Sequence, residues 1–271
     1  MPELPEVETT RRGVGPLLEG RQISAVKVRN PRLRQPVLAS LPQRLDGLRL
    51  RAVERRAKYL LFRFEFGSLI VHLGMSGSLR IVKPGTAFKK HDHVEITFDS
   101  TLCLRLHDPR RFGLMVWTEE PLAEHRLLRH LGPEPWDEQF TGAYLRKGSH
   151  RRTAAVKNFI MDSSIVVGVG NIYASESLHR AGVHPNRAAG RISQRRYGAI
   201  VVAVREVLEE ALEAGGTTLR DFVHSDGEPG YFRFKLKVYG RTGERCSCEH
   251  GTIRQQVIGQ RSSFYCPKCQ H

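Results

Sequence analysis

Apolar positions recur along the chain with two different periods, and the change from one to the other divides it. From about residue 22 to 118 the pattern is that of strands. Ile23, Val26 and Val28 come first, followed by apolar runs at 59–64, 69–73, 78–82, 94–98, 102–106 and 114–117. Turn residues separate most of these runs, as in Phe66-Gly67-Ser68 and Asp99-Ser100. Many short strands without intervening helices predict an antiparallel sandwich or barrel. After residue 150 the period turns helical. Helices are expected at 154–161, 171–181 and 193–214. In the last of these Ser193 is the N-cap and Gly215 lies just past the end, with Ile200, Val204, Val207, Leu208, Ala211 and Leu212 along one face. A shorter helix is expected at 5–20, where Val7, Val14, Leu17 and Leu18 give a partial apolar face and Gly20 ends it. Gly132-Pro133-Glu134-Pro135 is a rigid, helix-breaking stretch suited to a linker. The fold class read from this pattern is α+β.

A chain of 271 residues with 40% hydrophobic content has room for one large domain or two smaller ones with real cores. Charge narrows the partners. Lys plus Arg number 43 against 28 Asp plus Glu, a formal charge of +15. That excess favours a polyanion, with nucleic acid first and an anionic membrane surface second. No apolar run reaches the ~18 residues of a membrane span. The N-terminus has no apolar segment of the secretory kind, so a cytoplasmic protein without disulfides is expected. Four of the five cysteines fall in the last 26 residues, which points to a metal site. Cys103 alternates inside a strand and reads as a buried structural thiol.

Candidate chemistry lies at both ends. The chain opens Met1-Pro2-Glu3-Leu4-Pro5-Glu6. Removal of Met1 would make Pro2 a free secondary amine that titrates near pH ~8, so a usable fraction is a neutral nucleophile at neutral pH. Its attack on a carbonyl-like carbon gives an iminium ion, with Glu3 beside it as acid and base. The same residues also read as a plain helix start, with Pro5 in the first turn and Glu6 and Glu8 at the positive dipole end. At the other end, Cys246-Ser247-Cys248 and Cys266-Pro267-Lys268-Cys269 flank a hairpin-length segment, the pattern of a structural zinc ribbon. The first pair is C-x-C rather than C-x-x-C, and His250 is an alternative ligand. Arg245, Arg254, Arg261 and Lys268 surround the cluster and suit phosphates.

Four further stretches have two readings each, and Lys58 has one default reading. Gly168-Val169-Gly170-Asn171 is either a turn aiming helix amides at a phosphate or an ordinary turn into a helix. Asp108-Pro109-Arg110-Arg111-Phe112-Gly113 is either a basic wedge for a base stack or a solvated hairpin tip. His91-Asp92-His93 is a metal site or polar surface, and Lys58 at the head of an apolar strand snorkels by default. The Gly/Pro-rich loop within 217–232 either closes on a ligand or merely connects.

These pieces occur together in one family. The sequence resembles the bacterial formamidopyrimidine-DNA glycosylases through its opening residues to Thr9, Arg55-Arg56-Ala57-Lys58-Tyr59 and His72-Leu73-Gly74-Met75-Ser76-Gly77. Further matches are Lys90-His91-Asp92-His93-Val94, the stretch from Asp108 to Gly113, Leu131-Gly132-Pro133-Glu134-Pro135 and the segment 167–176. Gly215-Gly216-Thr217-Thr218-Leu219, Val238-Tyr239-Gly240-Arg241 and the segment 259–270 complete the set, end to end and in order. The resemblance implies an N-terminal antiparallel β-sandwich at 1–132, a linker at 133–150 and a helical domain at 151–225 with a helix–two-turn–helix. A lesion-recognition loop and a zinc-finger hairpin at 226–271 follow, and DNA would cross a basic cleft between the domains. It also implies excision of oxidised purines from double-stranded DNA by a monomer with one structural Zn²⁺, in base excision repair.

Carried over by residue, the resemblance makes Pro2 the nucleophile at C1′ and Glu3 the acid and base. Lys58 would assist β-elimination, Arg261 would bind phosphate and assist δ-elimination, and Glu6 would support Pro2. His72, His91, Arg110, Arg152 and Asn171 would contact DNA. Met75, Arg110 and Phe112 would fill the gap left by the flipped nucleotide. Cys246, Cys248, Cys266 and Cys269 are the expected zinc ligands. Three positions depart from the family pattern. Glu249 stands where the second zinc ligand falls, so that Cys248 re-forms the knuckle, His250 takes the place or zinc binding is weakened; Cys248 is expected because thiolate is the better match. Ser163-Ser164 follows Asp162 where Asn is common, and Arg233-Phe234-Lys235 replaces a segment usually rich in Gln and Glu. The alternatives are a catalytically silent DNA-damage binder, opposed by retention of Pro2, Glu3, Lys58 and Arg261, and an endonuclease VIII-like enzyme preferring oxidised pyrimidines, opposed by Leu4. A chain that keeps Met1 is expected to bind DNA without cutting it.

Overall fold

The computed structural model describes residues 2–215 and 236–271. The 217–232 loop and Arg233-Phe234-Lys235 lie outside the described residues. The chain forms two compact units, the first built on Met1–Arg129 and the second on His130–Glu213 with the C-terminal segment.

The first unit begins with α1 (Leu4–Leu18). Pro5 occupies its first turn, where a missing N–H costs nothing, and the Glu6 carboxylate reaches back to accept from the Glu3 N–H at 2.8 Å. Val7, Val14 and Leu18 are buried, and Gly20 in the left-handed region (φ +82°) ends the helix. Two four-stranded antiparallel sheets follow. One runs β1 (Ile23–Val28), β6 (Asp92–Phe98), β7 (Leu102–His107), β5 (Ser78–Val82). The other runs β2 (Ala52–Arg56), β3 (Tyr59–Arg63), β4 (Ser68–His72), β8 (Leu114–Thr118). Alternation decides which side chains enter the core. Along β6, Val94, Ile96 and Phe98 are buried while Glu95 and Thr97 are less so. These join Leu60, Phe62, Leu69, Val71, Leu104 and Leu106 in one apolar cluster, each side chain contributing about 1.5–3 kcal/mol. Helix α1 packs on this body through β2, β3 and β5, and α2 (Leu41–Leu45) packs against β1. Cys103 is buried in β7.

The second unit contains α3 (Gly142–Gly148), α4 (Val156–Met161), α5 (Asn171–Arg180), a 3₁₀ turn at Ala189–Arg191, and α6 (Gln194–Glu213). Helix α6 follows its expected stripe, with Ile200, Val204, Val207, Leu208 and Ala211 buried and Ser193 Oγ accepting from the Arg196 N–H at 3.3 Å. Helix α3 lies in the stretch expected as a linker. Thr141 Oγ1 caps it by accepting from the Tyr144 N–H at 3.1 Å, and Gly142 lets it approach α6 closely, since a Cβ there would lie 2.7 Å from Gly198 N. The preceding residues are pinned as well. The Arg205 guanidinium on α6 donates to the carbonyls of Pro135 (2.7 Å) and Phe140 (3.1 Å). The terminal hairpin pairs β9 (Arg254–Ile258) with β10 (Arg261–Tyr265) through Gly259-Gln260, both with positive φ (55° and 61°), the geometry of a tight type I′ turn. Among the described residues no helix is long and apolar enough to cross a membrane.

Candidate active site

Pro2 and Glu3 are buried at the start of α1. Behind them Glu8 gathers three arginines: Arg11 (2.8 Å) and Arg12 (2.9 Å) on its own helix and Arg55 (3.2 Å) on β2. Burial would raise the Glu8 pKa, but hydrogen bonds from Arg11 and Arg12 and the charges of Arg11 and Arg55 hold it below the ordinary carboxylate value. The Glu8–Arg55 pair fixes the helix to the hairpin that carries Lys58. Arg55 also donates to the Ala57 carbonyl at 3.0 Å. Ala57 has a positive φ of 55°, and Lys58 sits beside it in the two-residue turn between Arg56 and Tyr59. The sequence reading of Lys58 as the first residue of a strand therefore shifts by one: it is the turn residue, and Tyr59 begins β3.

His72, at the end of β4, packs against Tyr59 with ring centroids 4.9 Å apart. Its Nδ1 accepts from the Gly74 N–H at 2.9 Å, which leaves the ring proton on Nε2 as a donor. Burial, then the nearby charges of Lys58 and Arg34, lower its pKa to about 4, so the ring is neutral at physiological pH. Met75 follows, half-buried. The turn containing Arg110 and Phe112 reaches out between β7 and β8. Phe112 is 45% exposed, and the Arg110 guanidinium lies 5.1 Å from its ring centroid. Gly74 backs directly onto this turn, where a Cβ would come within 2.4 Å of the Phe112 carbonyl carbon. His91 stands edge-on to His93 (6.3 Å) and His107 (5.9 Å). Asp92 beside it is buried and bonds His107 Nδ1 at 2.8 Å and the Arg80 guanidinium, with Arg105 at 3.6 Å. The metal reading of this stretch is thereby replaced by a charged structural hub. Among the described residues, metal-ligating side chains converge only at the terminal cysteines.

In the second unit Asn171 is the first residue of α5. Its side chain accepts from the Lys157 ammonium and donates to the Ser262 carbonyl (3.0 Å) and the Tyr239 hydroxyl (3.4 Å). Lys157, itself 0% exposed, continues to Ser263 Oγ at 2.7 Å. Asn171 and the strand carrying Arg261 are therefore parts of one network, with Arg261 exposed immediately after the type I′ turn. Arg152 is exposed, its guanidinium 5.2 Å from the Phe159 ring centroid.

The four thiols at the chain's end converge. The sulfurs of Cys246, Cys248, Cys266 and Cys269 all lie within 4.8 Å of one another, with Cys248–Cys266 at 3.7 Å and Cys246–Cys269 at 3.9 Å. A tetrahedral ion with Zn–S bonds of about 2.3 Å requires sulfur separations of about 3.8 Å, so this donor set fits zinc. Cys248 lies in this group and His250 does not. Burial raises the Cys266 thiol, but the N–H groups of Lys268 and Cys269 outweigh it and bring its pKa to about 7, while burial and its thiol neighbours push Cys269 up.

Three residues that the sequence reading passed over complete the arrangement. Lys157 was visible only as a lysine between Val156 and Asn158 in a short helix. Glu176 on α5 is buried and accepts from the N–H groups of Lys237 (2.8 Å), Val238 (2.9 Å) and Tyr239 (2.8 Å), anchoring the return of the chain to the hairpin. Its pKa is raised by burial, against the pull of those three bonds. His179 Nε2 lies 3.3 Å from Cys246 Sγ and ties α5 to the cysteine cluster.

Comparison with known proteins agrees with this architecture. Residues 1–115 match the model of the formamidopyrimidine-DNA glycosylase N-terminal domain, and residues 131–223 that of the formamidopyrimidine-DNA glycosylase H2TH domain. The chain is 56% identical to the formamidopyrimidine-DNA glycosylase of Methylococcus capsulatus and 58% identical to that of Syntrophotalea carbinolica, covering all of both chains. Among solved structures it is similar to a point mutant of the Lactococcus lactis FPG in complex with Fapy-dG-containing DNA, with a TM-score of 0.93 and 30% identity over the whole of both chains. A complex of the Lactococcus lactis protein with abasic-site DNA gives 0.92 and 30%, again over both whole chains. These matches define the class, the DNA glycosylases of base excision repair. Within that class the chain belongs to the formamidopyrimidine-DNA glycosylase family.

Proposed function

We propose that the chain excises oxidised purines, 8-oxoguanine and formamidopyrimidines, from double-stranded DNA and then cuts the strand by β,δ-elimination. The observation that carries this reading is the mounting of Pro2 and Glu3: a helix start closed by Glu6 and bridged through Glu8–Arg55 to the hairpin of Lys58. With Met1 removed, the Pro2 nitrogen attacks C1′ and the base leaves, and ring opening of the sugar gives a positively charged iminium. Glu3 moves the protons of base release and sugar opening. The iminium acidifies C2′, so loss of a proton there expels the 3′ phosphate, assisted by Lys58. Arg261 assists departure of the 5′ phosphate. These steps need the nucleotide out of the helix, and Met75, Arg110 and Phe112 fill the space it leaves. His72, His91, Arg110, Arg152 and Asn171 hold the backbone, with His72 acting as a neutral Nε2–H donor. Cys246, Cys248, Cys266 and Cys269 hold one Zn²⁺, which is structural because all four positions are protein ligands.

Borohydride reduction in the presence of duplex DNA containing 8-oxoguanine is expected to trap a covalent complex. Pro2→Gly should cut trapping at least about a hundredfold, the scale of losing the nucleophile. Absence of a trapped complex with every member of a panel of oxidised bases, using protein whose N-terminus is confirmed as Pro2, would overturn the proposal.

A further inference from the structure

Asp108 takes no part in the chemistry above, yet it is 0% exposed at the root of the turn that carries Arg110 and Phe112. Its two carboxylate oxygens serve two different loops. Oδ1 accepts from the Ser76 hydroxyl at 2.9 Å, beside Met75, and Oδ2 accepts from the Gly113 N–H at 2.8 Å, beside Phe112. Ser76, 1% exposed, passes the connection on by accepting from the Arg110 N–H at 3.2 Å. The Asp108 backbone reaches a third loop. Its N–H donates to the His91 carbonyl at 3.0 Å, and its carbonyl accepts from His93 Nε2 at 2.7 Å. Where these loops meet, Gly74 and Phe112 are in backbone contact, so a shift in one loop displaces the other. Among the described residues no cation lies within ion-pair distance of Asp108. A buried carboxylate held by neutral donors alone is a costly way to fill space, and an amide or hydroxyl would suffice if packing were its only task.

We propose that Asp108 is a positioning residue that locks the Met75, Arg110 and Phe112 loops into a single wedge, so that the three side chains enter the base stack together. This inference rests on the glycosylase reading above. A wedge already assembled before binding loses less conformational freedom when it replaces the departing base. Its benefit is largest for a stacked, paired lesion and smallest for a site that has already lost its base.

The test compares two rates on one duplex sequence: single-turnover excision of 8-oxoguanine and borohydride trapping at a pre-formed abasic site. In Asp108→Asn the amide oxygen can accept from only one of the two donors, its NH2 group faces the other, and neither bond keeps the charge. Excision is expected to fall by about tenfold or more while abasic-site trapping changes by less than about threefold, the scale of one lost charge-assisted hydrogen bond. Ser76→Ala removes the bond to Oδ1 and the one from the Arg110 N–H, leaves the carboxylate on the Gly113 N–H, and should move the ratio of the two rates in the same direction by a smaller factor. If thermal denaturation shows that Asp108→Asn does not fold, Ser76→Ala alone decides. A ratio equal to that of the wild type in the folded variant, whether both rates fall together or neither falls, overturns the proposal. A wild-type chain that acts on neither substrate overturns instead the glycosylase reading on which it depends.

Discussion

In the first unit the loops bearing candidate residues hang from 24 buried apolar side chains in one cluster, whereas the terminal hairpin packs around Val238, Cys246, Ile253, Phe264 and Cys266. Two of those five are thiols of the cysteine group, so among the described residues the hairpin's apolar core is small and shared with the cysteines. The same demand, a basic side chain held still on a turn, is met by burial in one place and, if the four thiols hold zinc as proposed, by cross-linking in the other. Polar hubs in the sandwich, such as Glu8 and Asp108, orient loops on a body that is already stable. In the hairpin, on the zinc reading proposed above, the four sulfurs would supply the stability itself.

The largest effect should therefore come from removing the metal. Chelation is expected to unfold the hairpin, since zinc binding at four thiolates is worth about 10 kcal/mol to a small domain of this kind. Proteolysis between residues 245 and 271 should accelerate, with the strands of the first unit unaffected by circular dichroism. Cys248→Ser should lower the zinc content from one ion per chain toward none, while His250→Ala should leave it at one. Loss of zinc in His250→Ala alone would reverse the ligand assignment. The counterpart in the sandwich is Leu106→Ala, a fully buried position. It should cost about 3 kcal/mol in urea unfolding by creating a cavity, and leave the zinc content unchanged. If zinc were lost with it, the two ways of holding a turn would not be independent.

How much of this was legible in the sequence follows the same division. The strands showed themselves because burial on one face imposes a period of two, as in Val94, Ile96 and Phe98. Helix α6 was visible for the same reason at its own period, and the cysteines because four thiols close together have few uses. Pro2 and Glu3 were visible both as chemistry and as a helix start; the fold shows the helix start, and the amine belongs to the proposed function. What stayed hidden were residues whose partners lie far along the chain. Lys157 meets Ser263 over 106 positions, and Glu176 accepts from Val238 over 62. No local period marks such pairs, and each looks like an ordinary helix residue until the fold closes. Helix α3 was missed for a local reason, since Gly142 and Gly148 lower helix propensity and only Thr141 and the contact with α6 restore it.

His72 gives the smallest and most specific test, because it lies where the sandwich meets its own loops. Folding lowers its pKa from 6.5 to about 4 through burial and the charges of Lys58 and Arg34. Between those values the unfolded chain binds a proton that the folded chain refuses. The stability contributed by the neutral ring is complete above 6.5 and is lost as the pH falls toward 4, which amounts to about 2 kcal/mol between pH 7 and pH 5. His72→Gln keeps an acceptor for the Gly74 N–H and cannot titrate. His107, His125, His179 and His184, whose pKa values are also lowered with burial as the first cause, remain in both proteins and cancel in the difference. Measured by urea unfolding, the advantage of the wild type over His72→Gln should shrink by about 2 kcal/mol from pH 7 to pH 5. A difference that does not change with pH would mean that folding leaves the ring's pKa at its ordinary value. In that case the first unit would not hold its loops through a ring that burial keeps neutral.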